Sequence, residues 1–172
     1  PVAYDERREM SFHEVTALTG FGMPGVWSWN FGDDFAHLFL DSIGLNHNAL
    51  GRGYETFGNG TAETLVQTSP SDEVSRDWYR PSPPPDKPFR WSARDNVNYM
   101  ETASLAALDF SAQQPKTLLD NFYRTGFNSW RKGVEQAPFA FMIPNGQGDP
   151  TRVAQMVARL MAQGIEVGRA TT

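Results

Sequence analysis

Glu55 is the carboxylate whose surroundings invite chemistry. It stands in Arg52-Gly53-Tyr54-Glu55-Thr56-Phe57, an alternating segment suited to a short strand. On such a strand Glu55 shares a face with Phe57, while Arg52, Tyr54 and Thr56 take the opposite face. Partial desolvation between aromatic neighbours would tune this carboxylate toward general-base duty. The same spacing fits a half-exposed strand glutamate paired with Arg52 or another cation, and spacing alone leans to that structural alternative.

Other routes to catalysis lack their signatures. Zinc hydrolases present H-x-x-E or H-E-x-x-H, so that two ligands project from one element toward one ion. Neither occurs: His13-Glu14 is followed by Val15 and Thr16, and His37 and His47 stand apart as separate, structural histidines. The serine elbow G-x-S-x-G is missing, because Gly25-Val26-Trp27-Ser28-Trp29 puts tryptophans where a sharp turn needs small residues. Asn145-Gly146-Gln147-Gly148-Asp149 precedes a helix and could cradle a phosphate on free amides. It lacks the dinucleotide and P-loop spacings, and Asp149 places a carboxylate where the anion would sit, so it reads as a structural loop. Asn59-Gly60-Thr61 matches a glycosylation acceptor, a match common by chance.

Composition sets the outer limits. In 172 residues, 40% are hydrophobic and 20% charged, with 12 Phe, 5 Trp and 5 Tyr, enough apolar material for a core and unlike a disordered chain. No uninterrupted apolar run is long enough to span a membrane. A net charge of -5 leaves no basic stripe for a phosphate backbone, so nucleic acid is not expected as a partner. The absence of cysteine excludes thiolate ligands, disulfides and a Cys nucleophile within these residues.

The elements that must position Glu55 follow from periodicity. A helix is predicted over 5–19, with Met10, Val15 and Leu18 at near-helical spacing and Gly20 as its left-handed cap. A glycine-rich loop and a short strand at 26–29 come next; Asp33 then caps a segment in which Phe35, Leu38, Phe39, Ser42 and Ile43 share a face, with His37 and Asp41 on its other flank. After the 52–57 strand and a Gly58-Asn59-Gly60 turn, the proline-rich text of 69–88 favours extended polyproline geometry and reads as a strap. Helices are predicted over 94–109 and 115–131, able to pack as an antiparallel pair. The end of the chain reads as strand 139–143, a helix opened by Asp149-Pro150 and capped by Gly164, and strand 165–167, with parallel pairing expected. The first residue is Pro1 and the last strand-like run sits at the end, so the chain is expected to be a piece of a longer protein.

Two blocks carry a resemblance. Glu14-Val15-Thr16-Ala17-Leu18-Thr19-Gly20-Phe21-Gly22-Met23-Pro24-Gly25-Val26-Trp27-Ser28-Trp29 and Asn46-His47-Asn48-Ala49-Leu50-Gly51-Arg52-Gly53-Tyr54-Glu55-Thr56-Phe57-Gly58-Asn59 resemble the later part of the catalytic domain in large bacterial zinc carboxypeptidases of the carboxypeptidase A-like superfamily. Residues 139–167 resemble the start of the domain that follows it. The resemblance implies an α/β fold: a fragment of a mixed-sheet metallocarboxypeptidase-like domain over 1–68, a proline-rich strap with two linker helices over 69–133, and the β-α-β start of a doubly wound accessory domain over 134–172.

The implied activity is hydrolysis of a peptide or protein substrate, with zinc as cofactor and Glu55 as general base. The His-x-x-Glu zinc pair is expected upstream of Pro1, so no metal ligand is assigned in this chain. The tyrosine that smaller members place before their glutamate has no counterpart, the matching region reading Asp33-Asp34-Phe35. A periplasmic or secreted location is implied by the resemblance alone. The piece by itself is expected to be inactive and poorly folded, since a sheet cut from its neighbouring strands leaves an open edge. A non-catalytic role as a peptide-binding or domain-packing segment of a degenerate peptidase is the alternative. An amidotransferase reading of the last unit is disfavoured without a cysteine nucleophile.

Overall fold

The computed structural model of the chain describes residues 2–28, 40–58, 61–67 and 88–170. The cap at Asp33, the face carried by residues 35–39, His37, Trp29, the glycosylation match at Asn59 and nearly all of the proline-rich run lie outside the described residues. Helices and a small sheet combine in the order α1 (Val2–Gly20), α2 (Leu40–Asn46), β1 (Leu65–Gln67), β2 (Phe89–Trp91), α3 (Ala93–Gln113), α4 (Pro115–Glu135) and α5 (Pro150–Ala162). The fold is therefore mixed α and β. Its contacts fall into two units, Pro1–Arg131 and Lys132–Thr172.

In the first unit the core is built where α1 packs on α3. Met10, Ser11, Glu14, Val15 and Leu18 are buried on α1, and Ala103, Ala106 and Phe110 on α3. At about 100° per residue the five α1 positions share one arc, and the alanines of α3 allow a close approach of the two backbones. The expected pairing of α3 with α4 is replaced by this one. Only Gln114 lies between them, too short a link for the 2–5-residue loop that an antiparallel helix hairpin needs.

Gly20 remains inside α1, and Gly22 takes the left-handed conformation at φ 75° instead. The amide of Gly22 donates to the Thr19 carbonyl at 3.0 Å and that of Met23 to Leu18 at 2.9 Å, closing the helix with two bonds that need a residue without a Cβ between them. α3 is opened by Asp95, whose carboxylate accepts from the Ser92 amide at 2.7 Å and the Ser92 hydroxyl at 2.6 Å. Those bonds, the hydroxyl one foremost, hold the Asp95 carboxyl below its usual range.

The sheet differs from expectation. β1 and β2 are antiparallel, in the register Leu65↔Trp91, Val66↔Arg90 and Gln67↔Phe89. No strand forms at 26–28, and 52–57 has no ladder partner among the described residues, although its burial alternates residue by residue. In the second unit α5 forms as predicted, but 139–143 and 165–167 are not strands. A parallel pair is stable when both faces are covered, and here Phe141 is 90% exposed, with Phe139 and Met142 also open to solvent.

Candidate functional site

The alternation predicted for 52–57 survives without a strand partner. Arg52, Tyr54 and Thr56 are partly buried, while Gly53, Glu55 and Phe57 are exposed. The segment thus has a held face and an open face, and the candidate side chain, Glu55, lies on the open one with the half-exposed Phe57.

The held face is organised by Glu14, only 3% exposed in the middle of the buried arc of α1. Arg52 meets it with a two-pronged fork: Nε donates to Oε1 at 3.2 Å and Nη2 donates to Oε2. Tyr54 donates its hydroxyl proton to Glu14 Oε1 at 2.7 Å. One hydroxyl has one proton, so the Ala103 carbonyl 3.4 Å away is a weaker second neighbour. The Arg52 guanidinium carbon also stands 5.6 Å from the centre of the Tyr54 ring. A buried carboxylate with three charge-assisted or neutral donors is well satisfied, which is what its burial requires.

The titrations follow from this packing. Burial, then the hydrogen bond to the Glu14 carboxylate, pushes the Tyr54 phenol well above its usual value, so it stays an O–H donor through neutral pH. Burial is the largest single influence on the Arg52 guanidinium and acts to lower it, but the hydrogen bond and charge of Glu14, with smaller contributions from Tyr54, together outweigh it and the group is raised and held charged.

A second contact fixes the same segment from another helix. A Cβ on Gly51 would lie 2.9 Å from the Asp41 Cα and 2.9 Å from its Oδ1, so the chain passes over α2 at a distance only glycine allows. Beyond Glu55, the Phe57 ring stands 5.3 Å from Trp91 and 5.7 Å from Phe89, and Trp91 stands 4.9 Å from Tyr99. These rings tie the far end of the segment to β2 and α3. Trp91 is buried, and its Nε1 donates to Asn96 Oδ1 at 2.5 Å.

The remaining sequence candidates are placed elsewhere. His13 Nε2 lies 3.0 Å from Asp109 Oδ2, its ring 5.6 Å from Phe110, while Gln113 donates to the same carboxylate oxygen at 2.7 Å. This is a link between α1 and α3. Asp149 accepts from the amides of Thr151 at 3.0 Å and Arg152 at 3.1 Å, so the start of α5 is filled by its own carboxylate rather than left for a phosphate. Among the described residues no group of three or more His, Cys, Asp or Glu side chains could hold a metal ion. They do not by themselves fit the zinc that the resemblance implies. No helix of the described residues is long and apolar enough to cross a membrane.

Glu14 is the member of this cluster that does not stand among the candidates above. The signal was present: on a helical wheel it falls within the arc marked by Met10, Val15 and Leu18, so a charged group was due to be buried there. A buried carboxylate requires a cation, and Arg52 supplies it. No protein family, curated protein or solved structure matches the chain.

Proposed function

We propose that this chain is the C-terminal part of the catalytic domain of a zinc-dependent peptidase with the start of the domain that follows, and that Glu55 is its general base. The observation that carries the reading is the position of Glu55 inside the block that resembles those enzymes; its exposed placement departs from the partly desolvated setting expected of it. Arg52, the nearest cation in sequence, is engaged by Glu14, which leaves the Glu55 carboxylate for chemistry. The described residues offer no seat for the metal, and what this chain contributes is the carboxylate. Glu55 takes a proton from the attacking water and returns it to the departing amine. The mixed sheet and the periplasmic or secreted location belong to the same proposal, as does a following accessory unit, of which α5 is formed here and the strands expected at 139–143 and 165–167 are not.

In the full-length polypeptide, Glu55→Gln is expected to lower kcat for peptide hydrolysis by about 10²–10⁴-fold, the span usual for one acid-base group, with fold and zinc content retained. Unchanged hydrolysis sinks the assignment. It would turn the reading to the alternative, a peptide-binding or packing segment of a degenerate peptidase, which draws on the exposed Phe57 beside Glu55.

A further inference from the structure

We propose that Glu14, Arg52 and Tyr54, together with the passage of Gly51 over Asp41, form an anchor that sets the register of residues 51–58 and so positions Glu55; the link to catalysis rests on the peptidase reading above. Among the described residues no strand pairs with this segment, so backbone ladder bonds do not fix which residues face outward. Side-chain contacts must do it.

The period of an extended chain is two, and a slip of one residue exchanges its faces. Such a slip would carry Gly53 and Glu55 toward Glu14 and leave Arg52 outside, burying like charges with no cation between them. The fork of Arg52 on Glu14 admits one placement, because both oxygens are engaged from fixed directions. Tyr54 adds a second bond to the same carboxylate two residues on. Gly51 adds an independent stop on the other side, where any Cβ would meet the α2 backbone. Arg52 and Tyr54 both lie on the held face, opposite Glu55, so all three side chains of the cluster act as positioning residues through the backbone.

The test uses the full-length polypeptide, a mixture of N-acylated dipeptides as substrate, and the rate of limited trypsin cleavage after residue 52, whose side chain is held by Glu14 in the anchored segment. Glu14→Gln and Arg52→Lys are expected to lower kcat by about tenfold or more while KM and zinc content hold, since register loss misplaces a group needed in the transition state. In both variants cleavage after residue 52 is about tenfold faster, and cleavage after Arg159 of α5 is as before. Tyr54→Phe keeps the ring and loses one bond, and is expected to shift both readouts about threefold in the same direction; it decides the matter if Glu14→Gln does not fold. Unaltered cleavage after residue 52 in these variants overturns the anchor, as does faster cleavage with unchanged kcat in a protein that Glu55→Gln inactivates. If Glu55→Gln leaves turnover intact the peptidase reading fails separately, and cleavage alone then judges the anchor: acceleration after residue 52 supports it and no change overturns it.

Discussion

Helices α1 and α5 invert the usual relation between an apolar stripe and burial. α5 carries the cleaner stripe, Val153, Met156, Val157, Leu160 and Met161, yet buries none of its residues. α1 buries a mixed face that includes Ser11 and Glu14, with Leu18 only 2% exposed. Periodicity states which face a helix can bury; a partner of matching shape decides whether it does. α1 finds that partner in α3 and in the segment around Arg52, both distant in sequence. The described part of the second unit holds the end of α4, the whole of α5 and no strand, and α5 is closed by local bonds at both ends.

The contrast makes ordered predictions about local stability, read by hydrogen exchange in each unit. Glu14→Ala should cost the first unit about 3–5 kcal/mol, because it leaves the Arg52 guanidinium buried without its carboxylate; a loss below about 1 kcal/mol would show that water reaches Arg52 and that the cluster is a surface pair. Leu18→Ala should cost about 3 kcal/mol through lost burial and a residual cavity, whereas Met161→Ala on α5 should stay within about 0.5 kcal/mol. Equal costs at the two sites would erase the distinction between the helices.

Tyr54→Phe should cost about 1 kcal/mol at neutral pH. It also has a pH signature of definite sign. The phenol is raised in the native state by burial and then by Glu14, so the native state holds its proton longer. Its contribution is fully present below the unfolded value of about 10 and is lost as pH rises through the native value. The alkaline fall in stability of the first unit should therefore be shallower in Tyr54→Phe, and a slope identical to the unsubstituted chain would remove Tyr54 as its source. Asp149→Ala should cost about 1 kcal/mol, confined to α5, by freeing the two amides it caps. Exchange in α1 and α3 is the control and should not move.

The sequence carried the helices and lost the sheet for a common reason, range. Asp149-Pro150 and Gly164 mark the ends of α5 by interactions inside a single turn, and the structure places the helix between them. The same kind of signal misplaced the left-handed cap of α1 by two residues, because Gly20 and Gly22 both offer the required freedom and only the pair of bonds to Thr19 and Leu18 selects the second. β1 and β2 are three residues each, too short for alternation to register, and their pairing joins residues far apart in sequence. The 139–143 run shows the opposite failure: Phe139-Ala140-Phe141-Met142-Ile143 has the composition of a buried strand, but composition cannot supply a ladder partner. At the candidate site, the two faces of 52–57 were readable from alternation. The choice of Glu14 over Glu55 as the partner of Arg52 was not, because it depends on where α1 lies in space.

The caps of α5 bear on how the end of the chain behaves during synthesis. Thirteen residues is a length at which a lone helix in water is barely populated. Asp149 seals one end, and at the other the amides of Gly164 and Ile165 return to Met161 and Leu160 at 3.0 and 3.1 Å, so every fastening comes from residues made within moments of one another. Nascent chain can wind this helix as soon as its own residues have left the ribosome, without waiting for any later segment, and presents a greasy ridge of valine, methionine and leucine to whatever it meets next.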